Sequence, residues 1–224
     1  MDARLKLSVV VPVLNEAAGI RAALEALAPL RARGHEVIVV DGGSSDGTPE
    51  LAAALSDRVL SAPCGRASQM NAGARAVTGD ALLFLHSDTR IPPVADELIL
   101  SSLRTSVWGR FDVEIEGRHP LLKVVACAMN LRSRLTGIAT GDQAMFVRRD
   151  VFPGFPEIAL MEDVALSRIL NKRGRPACLR QRAVTSGRRW ESRGVLRTIV
   201  LMWRLRLLYF LGVSPERLAR RYER

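Results

Sequence analysis

Apolar and polar positions fall into alternating blocks over the first ninety residues. Leu7-Ser8-Val9-Val10-Val11 is β-branched and apolar, the pattern of a buried parallel strand. Asn15 stands where it would cap a helix over residues 16–30, with Leu24 and Leu27 on one face. Residues 35–40 form a second apolar run that ends at Asp41, and Gly42-Gly43-Ser44-Ser45-Asp46-Gly47 is a turn cluster. Thr48 is expected to cap the next helix, with Pro49 at its first position, where a missing N–H is harmless. A short third strand is expected over 57–62, an alanine-rich helix over 66–76, and a fourth strand over 81–85, ending at His86-Ser87-Asp88. Further on, 92–105 reads as a helix. Residues 108–116 alternate as a half-exposed antiparallel strand does, with Phe111, Val113 and Ile115 against Asp112, Glu114 and Glu116. Helices are expected over 121–135 and 162–172 and a strand over 144–147.

Strands that alternate with helices predict an α/β fold, a mostly parallel sheet with right-handed crossovers. Ligands of such sheets bind outside the carboxyl ends of the strands. Asn15, Asp41 and Asp88 each follow a predicted strand end, so the fold gathers them along one edge.

The 224 residues suffice for a core without disulfide or structural-metal support, and 48% hydrophobic with 25% charged residues excludes disordered and fibrous classes. Cys64, Cys127 and Cys178 are scattered without metal-binding spacing and fit a reducing, cytoplasmic setting. The first residues carry no apolar signal core. The net charge of +10 is uneven: residues 168–224 hold 16 basic and 3 acidic groups. This divides the chain into a domain over 1–190 and a basic amphipathic tail over 191–224. In one helix, Arg193, Arg197 and Arg204 would lie within about 40° of each other, with apolar residues over much of the rest and Arg206 the exception. Such a tail either lies on an anionic membrane surface, on its inner face, or packs on the domain with its arginines solvated.

Several stretches carry candidate chemistry, and each also has an ordinary structural reading. Asp41 is able to accept from a base N–H, or merely opens a strand-to-helix turn. An aspartate at position 88 suits Mg²⁺ or Mn²⁺ shared with phosphates, because hard cations take oxygen ligands; alone it equally caps a helix. His86 is by type more often a packing histidine than a ligand. Arg66, at a loop-to-helix junction, suits an anion. Glu162-Asp163 either complements a helix dipole or supplies a general base.

In order along the chain, these stretches resemble the family 2 glycosyltransferases, which have the GT-A fold. Residues 9–16 (Val-Val-Val-Pro-Val-Leu-Asn-Glu) are similar to the family's opening strand and loop, and residues 40–48 to its second motif. Leu85-His86-Ser87-Asp88-Thr89 takes the place of its D-x-D motif, and Glu162-Asp163 that of its E-D motif. Residues 65–71 and 186–190 look closest to a bacterial branch associated with radical-SAM/selenodomain genes. The resemblance implies a nucleotide-sugar donor, UDP-linked by default, and a hydroxyl acceptor. Pro12, Asn15 and Glu16 would line the nucleoside pocket and Asp41 would contact the base. Arg66 would lie near the phosphates or sugar, and Gln143 would shape the sugar pocket. Asp88 would ligate Mg²⁺ or Mn²⁺, with His86 in place of the motif's first carboxylate. Arg189 and Trp190 match the Arg-Trp pair of processive members, but Ser186 stands where those have Gln, which argues against polymerisation. Asp163 would be the base of an inverting displacement.

Three other classes compete: a nucleotidyltransferase, an inactive nucleotide-sugar binder, and a nucleic-acid module on the tail. The first lacks its Gly-rich basic loop after the first strand. For the last, 5% aromatic residues and no recognisable nucleic-acid motif argue against a nucleic-acid partner. Oligomeric state is left open.

Overall fold

The computed structural model describes residues 5–223. Eight strands form one sheet: β1 (Leu7–Val13), β2 (Glu36–Asp41), β3 (Arg58–Ser61), β4 (Ala81–Phe84), β5 (Thr89–Arg90), β6 (Trp108–Glu116), β7 (Phe146–Arg148) and β8 (Ala177–Ser186). Their spatial order is β3-β2-β1-β4-β7-β6-β8-β5. The β3-β2-β1-β4 half is parallel, as expected. β7 is antiparallel to both β4 and β6.

The helices are α1 (Ala17–Glu25), α2 (Ala28–Ala32), α3 (Thr48–Ala53), α4 (Arg66–Ala76), α5 (Ala95–Ser102), α6 (Leu121–Thr136), α7 (Glu162–Asn171), α8 (Arg188–Arg193), α9 (Val195–Phe210) and α10 (Pro215–Glu223). The period of two along β1 separates two cores. Leu7, Val9, Val11 and Val13 pack with Ile20, Leu24 and Ile99 on one face. Val10 packs with Ile38, Val40, Met70 and Leu166 on the other. Gly73 lets α4 lie on that second face, because a side chain there would collide with Val10.

Several expectations are corrected. The helix over 16–30 is two helices, since Pro29 lacks the N–H that would continue the ladder. Asn15 does not cap it: Glu16 holds the cap position without a side-chain bond, and Asn15 accepts from the Ser45 N–H (2.9 Å). Thr48 is the first residue of α3, and Asp46 accepts from its N–H (3.1 Å). β6 is antiparallel only to β7, over its first two residues. Most of its length is parallel to β8, with a register shift after Phe111. β8 carried no strand signal because Arg180-Gln181-Arg182 interrupts its apolar pattern. The tail is not one helix: Gly194 (φ 84°) separates α8 from α9, and Gly212 (φ 85°) precedes α10. Arg193 therefore leaves the stripe of Arg197 and Arg204. Its guanidinium donates to the Tyr222 carbonyl (3.1 Å) and lies over that ring.

Candidate active site

Parallel strands β1, β2 and β4 finish at the same edge of the sheet. Because β7 runs antiparallel to β4, the turn before β7 (Gly141–Gln143) meets the end of β4 there. The two loops after β1 and β2 are stitched together. The buried Asp41 carboxylate accepts from the N–H groups of Gly43 (2.9 Å) and Ser44 (3.0 Å). Ser44 Oγ in turn accepts from the Asn15 N–H (2.8 Å), and Asp46 from the Ala17 N–H (2.9 Å). Gln69 of α4 locks the same strand ends from below, donating to the carbonyls of Val13 and Val40 (both 2.8 Å). Pro12 and Glu16 are half-buried beside this pair of loops.

Beyond β4, the Asp88 side chain is exposed and its carbonyl accepts from the Ser186 N–H (3.2 Å). That bond draws the segment after β8 over the sheet edge. Glu16 is shifted above the usual carboxylate range by burial and then by the Asp88 charge, with Arg188 and Arg189 acting in the opposite sense. His86 pairs with Asp142 (3.5 Å), and a side chain at Gly141 would strike the His86 ring. Burial alone would raise Asp142, but His86, Arg66 and Arg189 together hold it below the ordinary range.

Asp163 joins the same turn. Its Oδ2 accepts from the Gly141 N–H (2.9 Å) and its Oδ1 from the Val164 N–H (2.7 Å). Glu162, buried beside it, is pushed up to about 7 by burial and then by Asp163, against Arg66 and His86. Arg66 keeps its proton more tightly than an ordinary arginine. Its partial withdrawal from water works against this, but Glu162, Asp142 and Asp163 outweigh it. Three non-glycine residues have left-handed backbone among the described residues: Asn15 (φ 54°), Ala144 (φ 46°) and Met161 (φ 70°). All three border this edge, where strained backbone fixes the direction of neighbouring side chains.

Asp41, Asp88 and Asp163 are thus linked along one edge through Asn15, Glu16, His86-Asp142 and Gly141. Arg189 belongs to the same cluster and donates to the Tyr222 hydroxyl (3.1 Å). Two expected residues lie elsewhere. Gln143 is fully buried, accepting from the Thr140 N–H (3.2 Å) and donating to Asn130 (3.3 Å), so it supports the turn from beneath. Trp190 packs on the apolar cluster that contains Val113, Leu122 and Met129. Sequence reasoning missed Asp142, Tyr222, Arg132 and Arg206. For Arg206 the signal was present, a single arginine interrupting Leu205 and Leu207.

The sequence profile of "Glycosyl transferase family 2" matches residues 8–151. The chain belongs to this family. Among its relatives, the undecaprenyl-phosphate 4-deoxy-4-formamido-L-arabinose transferase of Yersinia pestis bv. Antiqua (strain Angola) is 33% identical over 156 residues, 64% of this chain and 48% of that protein. The enzyme of that name from Yersinia enterocolitica is 28% identical over the same length. The chain spans about half the length of these curated relatives. Among solved structures, glucosyl-3-phosphoglycerate synthase from Mycobacterium tuberculosis, in complex with Mn²⁺, UDP and glucosyl-3-phosphoglycerate, has a TM-score of 0.62 at 20% identity, covering 81% of this chain and 72% of that one. The mannosyltransferase PcManGT from Pyrobaculum calidifontis, in complex with GDP-Man and Mn²⁺, gives 0.63 at 22%, covering 82% and 57%. S. aureus TarS gives 0.66 at 22%, covering 82% and 61%. These likenesses bear on the fold.

Proposed function

We propose that this chain is an inverting glycosyltransferase that moves a sugar from a nucleoside diphosphate, UDP-linked by the resemblance, to an acceptor hydroxyl. One observation carries the reading: Asp163 is fixed at the turn that also faces His86 and Arg66, on the edge shared with the Asp41 loop. The loops around Asn15 and Asp41 receive the nucleoside. Arg66 and Arg189 face the departing diphosphate and offset its growing charge. Asp163 takes the proton of the attacking hydroxyl, and a single displacement inverts the anomeric centre.

The donor set suits Mg²⁺ or Mn²⁺. Asp88 is exposed, makes no ion pair among the described residues, and its charge reaches Glu16. A hard cation shared with phosphates needs one or two such carboxylates. When bound, the metal would neutralise diphosphate charge. His86, engaged with Asp142, does not replace the motif's missing carboxylate. No described helix is long and apolar enough to cross a membrane. We further propose that α9 rests on an anionic membrane on its cytoplasmic side. Leu196, Val200, Trp203, Leu207 and Phe210 are exposed at helical spacing, with Arg197 and Arg204 exposed beside them. Residues 65–71 and 186–190 support the radical-SAM/selenodomain-associated branch.

Thermal shift with a panel of nucleotide sugars, with and without Mn²⁺, tests the donor. Asp88→Ala should abolish the Mn²⁺-dependent part of that shift. Asp163→Asn should lower transfer by about 10²–10⁴-fold while leaving nucleotide affinity within about twofold. Full turnover by the asparagine variant removes Asp163 as base.

A further inference from the structure

Two arginines beside Asp163 have no anion to hold. Arg132 of α6 and Arg206 of α9 are largely withdrawn from water, and the Nε of each is buried with no hydrogen-bond partner. Arg132 makes one long contact, from Nη2 to the Ile138 carbonyl (3.5 Å). Neither joins an ion pair among the described residues. Burial and then the Arg206 charge bring Arg132 down to about 10, against Asp163. Burial likewise lowers Arg206, against Asp163 and Asp142. Geometry agrees: Ile138, whose carbonyl Arg132 reaches, packs on the cluster of Leu205, Met161 and Val164, so both cations stand near the start of α7.

Packing holds them there. Leu205, fully buried, lies in one cluster with Met161 and Val164, which flank the Glu162-Asp163 pair, so α9 carries Arg206 to the start of α7. A half-buried guanidinium whose Nε is withdrawn from water without a partner is unfavourable, and two close together are more so. Asp163 pairs with neither among the described residues; its oxygens accept from the Gly141 and Val164 N–H groups instead. What is missing is a compact anion with more than one charge, and paired guanidinium forks match phosphate oxygens. The donor's diphosphate is assigned to other cations. These are Arg66 and Arg189 in the reading above.

We propose that Arg132 and Arg206 form a phosphate site for the acceptor, so that the molecule receiving the sugar carries a phosphate monoester held beside Asp163. The acceptor role rests on the glycosyl-transfer reading above; the phosphate site itself does not.

The test uses the full chain with inorganic phosphate, glycerol 3-phosphate and lysophosphatidic acid in detergent micelles, and UDP with Mn²⁺ as a donor-site control. Inorganic phosphate should raise the melting temperature of the wild type above that in chloride of equal ionic strength. Arg206→Met should bind each phosphate compound at least tenfold more weakly and keep its UDP affinity. In phosphate-free buffer the same variant should melt higher than wild type, because it loses an unpaired charge; an arginine with a merely structural role would melt lower. Arg132→Lys keeps the charge and should retain phosphate stabilisation, and Arg104→Gln, exposed after α5, should match wild type. Tighter binding of glycerol 3-phosphate marks a soluble acceptor, and tighter binding of lysophosphatidic acid over empty micelles marks a lipid one; both carry a free hydroxyl beside the phosphate. The proposal is overturned if no phosphate compound stabilises the wild type, or if Arg206→Met binds them equally well. Loss of UDP binding with phosphate binding intact would reject glycosyl transfer and leave the phosphate site standing.

Discussion

Glu162→Gln isolates the electrostatics at the start of α7. Glu162 is 6% exposed. Its pKa rises from 4.5 to about 7, through burial first and the adjacent Asp163 second, with Arg66 and His86 opposing. The folded chain therefore keeps a proton that the unfolded chain releases between those values. Stability is full below the unfolded value, falls as pH rises through the interval, and levels off above 7, where both states are ionised. At 1.36 kcal/mol per unit, the loss is on the order of 3 kcal/mol. Glutamine keeps the shape and does not ionise, so the variant should escape most of this loss. Urea unfolding at pH 5, 6, 7 and 8 reads the difference directly, and the other titrating groups largely cancel between the two proteins. The variant and wild type should be close at pH 5, and the variant more stable by about 2–3 kcal/mol at pH 8. A difference that stays constant across this range, or a variant that is less stable at pH 8, refutes the reasoning.

Asp96, 2% exposed, accepts from Arg33 (2.7 and 2.8 Å) and His35 (2.9 Å), so Asp96→Asn should lower unfolding free energy by about 2–3 kcal/mol at pH 7, measured in urea. The His35 ring is in a defined state, with Nδ1 accepting from the Leu7 N–H (3.1 Å), so its Nε2 is the donor to Asp96. Trp203→Ser with Leu207→Ser should weaken binding to anionic vesicles at least tenfold, since Trp203 is 72% and Leu207 60% exposed. Wild-type vesicle binding should fall with added salt, and salt-insensitive co-sedimentation would reject the arginine contribution.

Most of the parallel half was legible in the sequence. Strands β1, β2 and β4 are short apolar runs closed by polar turns, a local pattern that needs no knowledge of distant partners. Their shared direction then brought Asn15, Asp41 and Asp88 to one edge by topology alone. Other features are not local. β8 is a strand because β6 offers it a parallel edge, and its charged middle hides this. Trp190 follows Arg189 directly, yet Arg189 reaches the Tyr222 hydroxyl and Trp190 the core under α6, because α8 turns successive residues to different sides.

By itself the sequence determined the α/β class, the order of motifs and the acidic residues that open α7, since periodicity and turn chemistry act over a few residues. Only the tertiary structure decided that the tail divides at Gly194 and Gly212, and that α9 folds back to set Arg206 beside Arg132 and Asp163. That placement depends on Leu205 finding Met161 and Val164, 44 and 41 residues earlier in the chain, and no local pattern encodes such a meeting.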